Sequence, residues 1–212
     1  MKIGIIGAGQ IGGTLTALLV KAGHEVWLAN TRGPESLTGL VAPLGEHAHA
    51  ATVAEAARAA ELVVVSVPVR AYQDLPADLL AGKVVIDTGN YDPERDGPIR
   101  PLDDELTTDT ELLAAKLSRS QVVKMFNTIY YEHLRDHGQP TGSPGRRALP
   151  MAGDDTEAKA TVAAVVDQIG FDTVDIGSLD AGHRIGRRSP AFDVRLDAGQ
   201  VRAVLNVEDL TS

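Results

Sequence analysis

Three glycines near the start of the chain, in Gly7-Ala8-Gly9-Gln10-Ile11-Gly12, stand between an apolar run, "KIGII" (2–6), and a segment with helical apolar spacing. Glycines spaced GxGxxG are weak evidence by themselves, but placed after a strand and at the opening of a helix they suit a turn that holds a pyrophosphate. Gly7 permits the sharp turn, Gly9 leaves no Cβ where the pyrophosphate approaches the backbone, and Gly12 lets the helix lie against the strand. The unpaired N–H groups and positive end of that helix then receive the anion. The chemistry implied is the binding of a dinucleotide; the bland alternative is a glycine-rich turn with no ligand.

The second strand, "EVWLAN" (25–30), decides which dinucleotide. An Asp or Glu about twenty residues beyond the turn accepts hydrogen bonds from the ribose 2′-hydroxyl of NAD and repels the 2′-phosphate of NADP. Here that place holds Asn30, followed by Thr31 and Arg32, with Ser36 within reach. Hydroxyl donors and a guanidinium fork are what a phosphate requires, so NADP(H) is expected over NAD(H). Arg32 is otherwise a solvated loop charge.

Ligands of open parallel sheets lie outside the carboxyl ends of the strands, which brings Ser66-Val67-Pro68 and Asp87-Thr88-Gly89-Asn90 towards the nicotinamide. Both stretches also read simply as strand endings with turn chemistry.

These residues need a particular frame. The helix 10–22 carries Ile11, Leu15, Leu18, Leu19 and Ala22 at helical spacing and stops at Gly23. "ELVVVSVP" (61–68) and "KVVIDTGN" (83–90) are apolar strands of the doubly buried kind, and "TVAEAARAA" (52–60) between them carries a capping-box pair, Thr52 and Glu55. The stretch 91–101 reads as a surface loop, 108–117 as a helix, "QVVKMFNTI" (121–129) as a strand and 135–147 as an irregular boundary or mobile loop. Beyond it follow a strand "ALPMAG", a helix 155–169, a strand 172–177, an Arg-rich loop and a helix from Asp197 through Leu205. Alternating strands and helices predict an α/β fold: a Rossmann-type, doubly wound, mostly parallel sheet. A dinucleotide-binding domain over 1–134 is followed by a small C-terminal α/β extension, 148–212, continuing the same unit.

Composition limits what else the chain does. Its 212 residues are 43% hydrophobic and 23% charged, as in ordinary globular proteins. A formal charge of −9 argues against nucleic-acid or membrane-surface partners. With no cysteine there is no thiolate nucleophile, disulfide or Cys-ligated metal. "MKIGIIGAG" meets glycines too early for a signal peptide or a membrane span, so a cytoplasmic protein is expected.

The sequence resembles the NADPH-dependent coenzyme F420 reductases and the bacterial F420-dependent NADP oxidoreductase-like proteins. The resemblance is carried by "IGIIGAGQIGGTLT", "ANTRGPESL", "VVVSVP", "VVIDTGN", "VVKMFNTI", "LPMAGDD" and "DIGSLDAGHR", from residue 3 to about 184. It implies that Gly9, Gln10 and Ile11 touch the pyrophosphate and that Thr31, Arg32 and Ser36 hold the 2′-phosphate. It also implies that Asn127, Thr128 and Ile129, with Pro150 and Met151 nearby, face a second substrate. In the family that substrate is the deazaflavin F420, reached by direct hydride transfer, a reaction that needs orientation of two rings more than an acid or base. A homodimer is implied as well.

Several other residues have two readings. Lys124, in an apolar strand, is a proton donor or a lysine at a sheet edge that snorkels to solvent. Tyr130, Tyr131 and His133 are donors or packed rings with wet tips. Arg184, Arg187 and Arg188, with Arg146 and Arg147, form a patch for an anionic part of the second substrate or a solvated loop. Asp154-Asp155 suits a helix N-terminus better than a metal, and no metal is expected. His24, His47 and His49 read as surface residues. The sequence therefore points to an NADP(H)-dependent oxidoreductase transferring a hydride to or from a second planar cofactor, F420 or a flavin. The alternatives are a reductase of a small carbonyl or imine, which needs a proton donor, and a non-catalytic NADPH sensor.

Overall fold

Runs of β-branched residues with no polar interruption form the centre of the sheet, because a strand covered on both faces has no solvent side to mark. In the computed structural model, which describes residues 1–207, β1 (Lys2–Ile6) and β4 (Leu62–Val65) lie side by side in parallel register, and every residue of β4 is buried. The eight strands are ordered β3-β2-β1-β4-β5-β6-β7-β8. Here β2 is Glu25–Ala29, β3 Ala48–Ala51, β5 Val84–Asp87, β6 Gln121–Lys124, β7 Ala148–Gly153 and β8 Asp172–Asp175. All neighbours run parallel except β6 and β7. The first six strands have the order of a Rossmann sheet, with the crevice where the order reverses between β1 and β4.

Alternation along the strands sends side chains to two cores. On one face Ile3, Ile5 and Val64 pack with Leu15 and Leu19 of α1 (Gln10–Lys21) and with Val162 and Val166 of the helix Thr156–Gln168. On the other, Val63, Val65 and Val85 pack with Leu113 and Leu117 around the helix Asp109–Lys116. The capping boxes at Thr52/Glu55, Thr108/Glu111 and Asp197/Gln200 start their helices by satisfying otherwise orphaned N–H groups. Asp155 caps the helix that follows it, accepting from Ala158 N at 2.8 Å, as read.

The structure departs from the sequence reading in several places. Strand β3 was not expected: four residues, Ala-His-Ala-Ala, at an edge of the sheet carry no apolar run to mark them. The strand expected over 121–129 ends at Lys124, because Phe126 turns into the left-handed region at φ 65° and carries the chain away from the ladder. The loop expected at 91–101 contains two one-turn helices, Pro93–Asp96 and Arg100–Asp103, each with proline in its first turn, where proline lacks no bond it needs. The last five residues of the C-terminal extension, 208–212, lie outside the described residues.

Segment 135–147 is irregular, as read, yet Arg146 and Arg147 are 2% and 1% exposed. Arg146 bonds Asp167 at 2.6 Å and Asp172 at 2.7 Å, tying the segment to the helix Thr156–Gln168 and to β8. These two arginines are buried structural cations and form no patch with Arg184, Arg187 and Arg188, because the carboxylates of an adjacent helix and strand have claimed one and burial encloses the other.

His24 is also corrected: it is 6% exposed, with Nε2 2.7 Å from Gln168 Oε1, while His47 is exposed and His49 is half-buried against Trp27, ring centroids 4.8 Å apart. Burial, with a further contribution from the Met1 ammonium, holds His24 below the usual imidazole value of 6.5. The unfolded chain therefore takes up a proton that the folded chain resists. Stability present above pH 6.5 is lost as the pH falls towards the lower folded value. Thermal melts of the wild type should drop as the pH falls below about 6.5, and this slope should flatten in His24→Gln; equal slopes in both proteins would refute the assignment.

Candidate functional site

Two of the three glycines in the turn are required by packing. Gly7 has φ +115°, and a Cβ there would meet the Ser66 carbonyl oxygen at 2.0 Å. A Cβ on Gly12 would lie 1.9 Å from the Gly7 carbonyl oxygen, so the close approach of α1 to the turn depends on its absence. Gly7 N donates to Ala29 O at 2.8 Å and Ser66 N to Ile6 O at 2.8 Å, which anchors the turn between the ends of β2 and β4. Gly9 differs: a Cβ there would have no heavy atom within 4 Å. It is the exposed N-cap of α1, no side chain caps the helix, and no acidic residue occupies the first turn. Open space and unclaimed donors at the positive end of a helix fit a pyrophosphate.

After β2, Asn30 Oδ1 accepts from Arg32 N at 2.9 Å and Nδ2 donates to Ser36 Oγ at 3.0 Å, so Asn30 shapes the loop that carries its neighbours. Ser36 Oγ also donates to Gly33 O at 2.7 Å, committing its hydrogen. Thr31, Arg32 and Ser36 are exposed, and among the described residues the Arg32 guanidinium has no ion pair.

At the carboxyl ends of β5 and β6 a slot of about 140 Å³ is lined by Ile11 of α1, Thr88, Asn90, Phe126, Asn127 and Ile129, with Tyr130, Phe192 and Asp193. The structure thus brings Ile11 together with both later strand ends. Asn90 Nδ2 donates to Asn127 O at 2.7 Å, and Asn127 Nδ2 donates to Asn90 Oδ1 at 3.2 Å and to Ile185 O at 2.6 Å. Ser66, Val67 and Pro68 are half-buried behind Gly7 and line no part of this slot. Thr128 and Met151 are 1% and 3% exposed and also lie off the slot, Met151 within the core. Among the described residues, Asn127 Oδ1 and Thr128 Oγ1 are buried without a hydrogen-bond partner. Phe126, between them and β6, holds the positive φ that a non-glycine residue adopts only when its surroundings compel it.

Lys124 is not at a sheet edge and does not reach solvent. It is 1% exposed, between β5 and β7, and its ammonium donates to Asp109 Oδ1 at 2.5 Å, Thr110 Oγ1 at 2.8 Å and Gly89 O at 3.1 Å. Asp87, 0% exposed, accepts from Tyr72 at 2.6 Å, Thr110 at 2.5 Å and Gly89 N at 2.9 Å. Burial first, then the Asp87 charge, raises the Tyr72 phenol well above its usual range. Sequence reasoning placed Asp87 towards the nicotinamide, but it is fully buried and bonded within this cluster, and Tyr72, Asp109 and Thr110 were missed; the available signal was a carboxylate ending the apolar run "VVID". The cluster holds the Gly89–Asn90 turn from behind, and a Cβ on Gly89 would meet Tyr72 Oη at 2.0 Å.

Beyond Asn90 a larger cleft of about 450 Å³ opens over Lys124 and Asp109, with His183 and Arg187 on its wall. Arg187 pairs with Asp92, and Arg184 Nη2 approaches Asn206 O at 3.5 Å. The three C-terminal arginines line one open groove, opposite Asp92, Asp103 and Glu105, so their field is largely offset by acids. Tyr130 is 45% exposed and stacks edge-on against Tyr131, while His133 Nδ1 lies 2.8 Å from Asp193, the packed-ring arrangement with wet tips.

This site on a Rossmann-type sheet belongs to a dinucleotide-binding α/β protein, and residues 2–91 match the family described as NADP oxidoreductase, coenzyme F420-dependent. The chain is 31% identical over 186 residues to the rat metalloreductase STEAP3, covering 87% of this chain and 35% of that protein. It therefore spans about a third of the length of this curated relative. Among solved structures it resembles a hypothetical protein of Sinorhizobium meliloti, with TM-score 0.80 and 28% identity over 92% of this chain and 95% of the other. It also resembles a "putative f420 dependent nadp-reductase" of Arthrobacter, with TM-score 0.72 and 28% identity over 86% and 87% of the two chains. The resemblance seen in the sequence is borne out over β1 to β5, where the family match lies.

The division of labour among the glycines is testable without a ligand. Gly12→Ala should lose about 1–3 kcal/mol of unfolding free energy through forced backbone displacement, whereas Gly9→Ala should change it by less than about 1 kcal/mol. Denaturant melts of the two variants measure the contrast, and comparable losses would contradict the packing assignment.

Proposed function

We propose that the chain is an NADP(H)-dependent oxidoreductase that transfers a hydride between NADPH and a second planar cofactor, coenzyme F420 or a flavin. The observation that carries this reading is the loop after β2. The place of the ribose-binding acid holds Asn30, whose side chain folds the loop so that Thr31 and an unpaired Arg32 are exposed beside the phosphate turn. A 2′-phosphate offered to this loop meets a guanidinium and hydroxyls and no carboxylate. The family match over residues 2–91 supports the same cofactor.

On this reading Gly9, Gln10 and Ile11 present backbone N–H groups to the pyrophosphate. Thr31 and Arg32 bind the 2′-phosphate, joined by Ser36 once its hydroxyl leaves Gly33 O. Thr88, Gly89 and Asn90 bound the nicotinamide, with Ser66, Val67 and Pro68 supporting the turn behind Gly7. Asn127 and Ile129 stand where the nicotinamide meets the second substrate, backed by Thr128 and, deeper in the core, Met151. NADPH supplies a hydride from its reduced ring, and the protein's part is to orient that ring, exclude water and hold the acceptor against it.

Reduction of a small carbonyl or imine would need a proton donor facing the ring. Lys124 is enclosed and bonded to Asp109, Thr110 and Gly89, which weighs against it in that role and leaves Tyr130, on the lining of the slot, as the donor that reading would require. We further propose a cytoplasmic homodimer. Among the described residues, no helix is long and apolar enough to cross a membrane.

Spectrophotometric titration of purified protein tests the reading: NADPH oxidation on adding F420 or FMN is expected, and tight NADPH binding with neither acceptor reduced would overturn the cofactor-to-cofactor reaction. Thr31→Asp combined with Arg32→Ala should weaken NADPH by ~2–4 kcal/mol, with NADH affected far less, since phosphate bonds are lost and a like charge is added. Equal weakening of both cofactors would remove the 2′-phosphate assignment.

A further inference from the structure

The amide of Asn127 has a fixed orientation. Its Nδ2 lies 2.6 Å from the backbone carbonyl of Ile185, which only accepts, so the nitrogen and not the oxygen must face that way. The second hydrogen of Nδ2 meets Asn90 Oδ1 at 3.2 Å, and Asn90 is itself oriented by donating to the backbone carbonyl of Asn127 at 2.7 Å. Two backbone acceptors thus settle both side-chain amides without reference to any ligand. What remains is Oδ1, an acceptor in a residue 3% exposed, with no partner of its own. A buried acceptor without a partner is costly, and in a residue that lines a cavity it can be satisfied by a donor on whatever fills that cavity.

The filling group is constrained by size and surroundings. The slot that Asn127 lines is about 140 Å³, well below the roughly 300–1,000 Å³ of pockets for drug-sized ligands. It matches one ring with a small substituent better than a tricycle. Its walls include Ile11, two residues past Gly9 on the first turn of α1, and the apolar rings of Phe126 and Phe192. A group reaching it from the phosphate turn is the distal ring of the dinucleotide.

We propose that Asn127 Oδ1 accepts the amide N–H of the nicotinamide carboxamide and so fixes which face of the ring is turned to the second substrate; this rests on the NADP(H) reading above. The carboxamide is the substituent of that ring that donates, and rotation of the ring by half a turn about its glycosidic bond would take the amide away from Asn127. The residue therefore acts on the cofactor and leaves the second substrate to the wider cleft beyond Asn90.

The experiment compares equilibrium binding of three probes to the purified chain: 2′,5′-ADP, NADP⁺, and the 3-acetylpyridine analogue of NADP⁺, whose methyl ketone keeps the carbonyl and lacks the N–H. The wild type should bind NADP⁺ about tenfold or more tightly than the acetylpyridine analogue. In Asn127→Ala that ratio should fall to within about twofold while 2′,5′-ADP binding is retained, since the phosphate loop is untouched. A wild-type ratio within about twofold overturns the inference whatever the variant does, which covers the case in which Asn127→Ala fails to fold. Equal loss of both dinucleotides in a folded variant, with the ratio preserved, also overturns it by showing a structural role for the side chain. Absence of 2′,5′-ADP binding by the wild type removes the NADP(H) reading itself, an outcome distinct from bound NADP⁺ without discrimination.

Discussion

The contact on which the site depends is between backbones. The Ser66 carbonyl stands where a side chain at Gly7 would be, and the Gly7 carbonyl where one at Gly12 would be. β4, the phosphate turn and α1 are thereby packed at distances open to glycine and to nothing larger. This close approach sets the line of α1, so its first turn opens beside Gly9 and Ile11 reaches the slot at the far strand ends. It also lets β1 be the axis from which the sheet is wound in both directions, the arrangement that creates a crevice at the carboxyl ends.

A second organising feature is the buried set of Lys124, Asp87, Asp109, Thr110 and Tyr72. Burying such charges costs several kcal/mol per ion, and the set is tolerable because nearly every donor and acceptor in it is matched. Charge in a core is poor evidence of stability, but it is directional. Lys124 holds Gly89 O, Asp87 holds Gly89 N, and the turn that ends in Asn90 is fixed from the side away from the slot. Rigid orientation at that point suits a reaction in which placement of two rings supplies most of what the protein contributes. It also gives a lysine with donor chemistry beside a cleft a structural task, consistent with the proposed hydride transfer between two rings.

The C-terminal segment takes part in the site through its backbone more than through its charges. Ile185 O receives Asn127, and Asp193 N donates to Thr128 O at 2.8 Å while its carboxylate accepts from Tyr130 N at 3.1 Å. The arginines that make this segment conspicuous in sequence are spent on Asp92 and Asn206, or face the acids of the opposite wall. Counting cations along a loop overstates its attraction for an anion when the partner acids arrive from other elements.

Local pattern determined the framework: the glycine turn, the helix starts at Thr52, Thr108, Asp155 and Asp197, the doubly buried strands, and the missing acid at position 30. Each depends on residues within a few positions of one another, where spacing and side-chain type are sufficient cause. Edge strand β3 escaped because four small residues bury too little to leave a periodic trace, and the strand at 121–129 was read too long because apolar character continues past the point where Phe126 turns the chain. The fate of Lys124, Arg146, Arg147 and His24 was decided only by tertiary structure, since their side-chain partners lie 10 to 144 residues away in sequence. So was the pairing of Asn90 with Asn127 across 37 residues, and with it the buried Asn127 Oδ1 that has no partner among the described residues. A side chain's chemistry follows from its type, but whether it is satisfied, and therefore what it still has to offer, follows from neighbours that only the folded chain supplies.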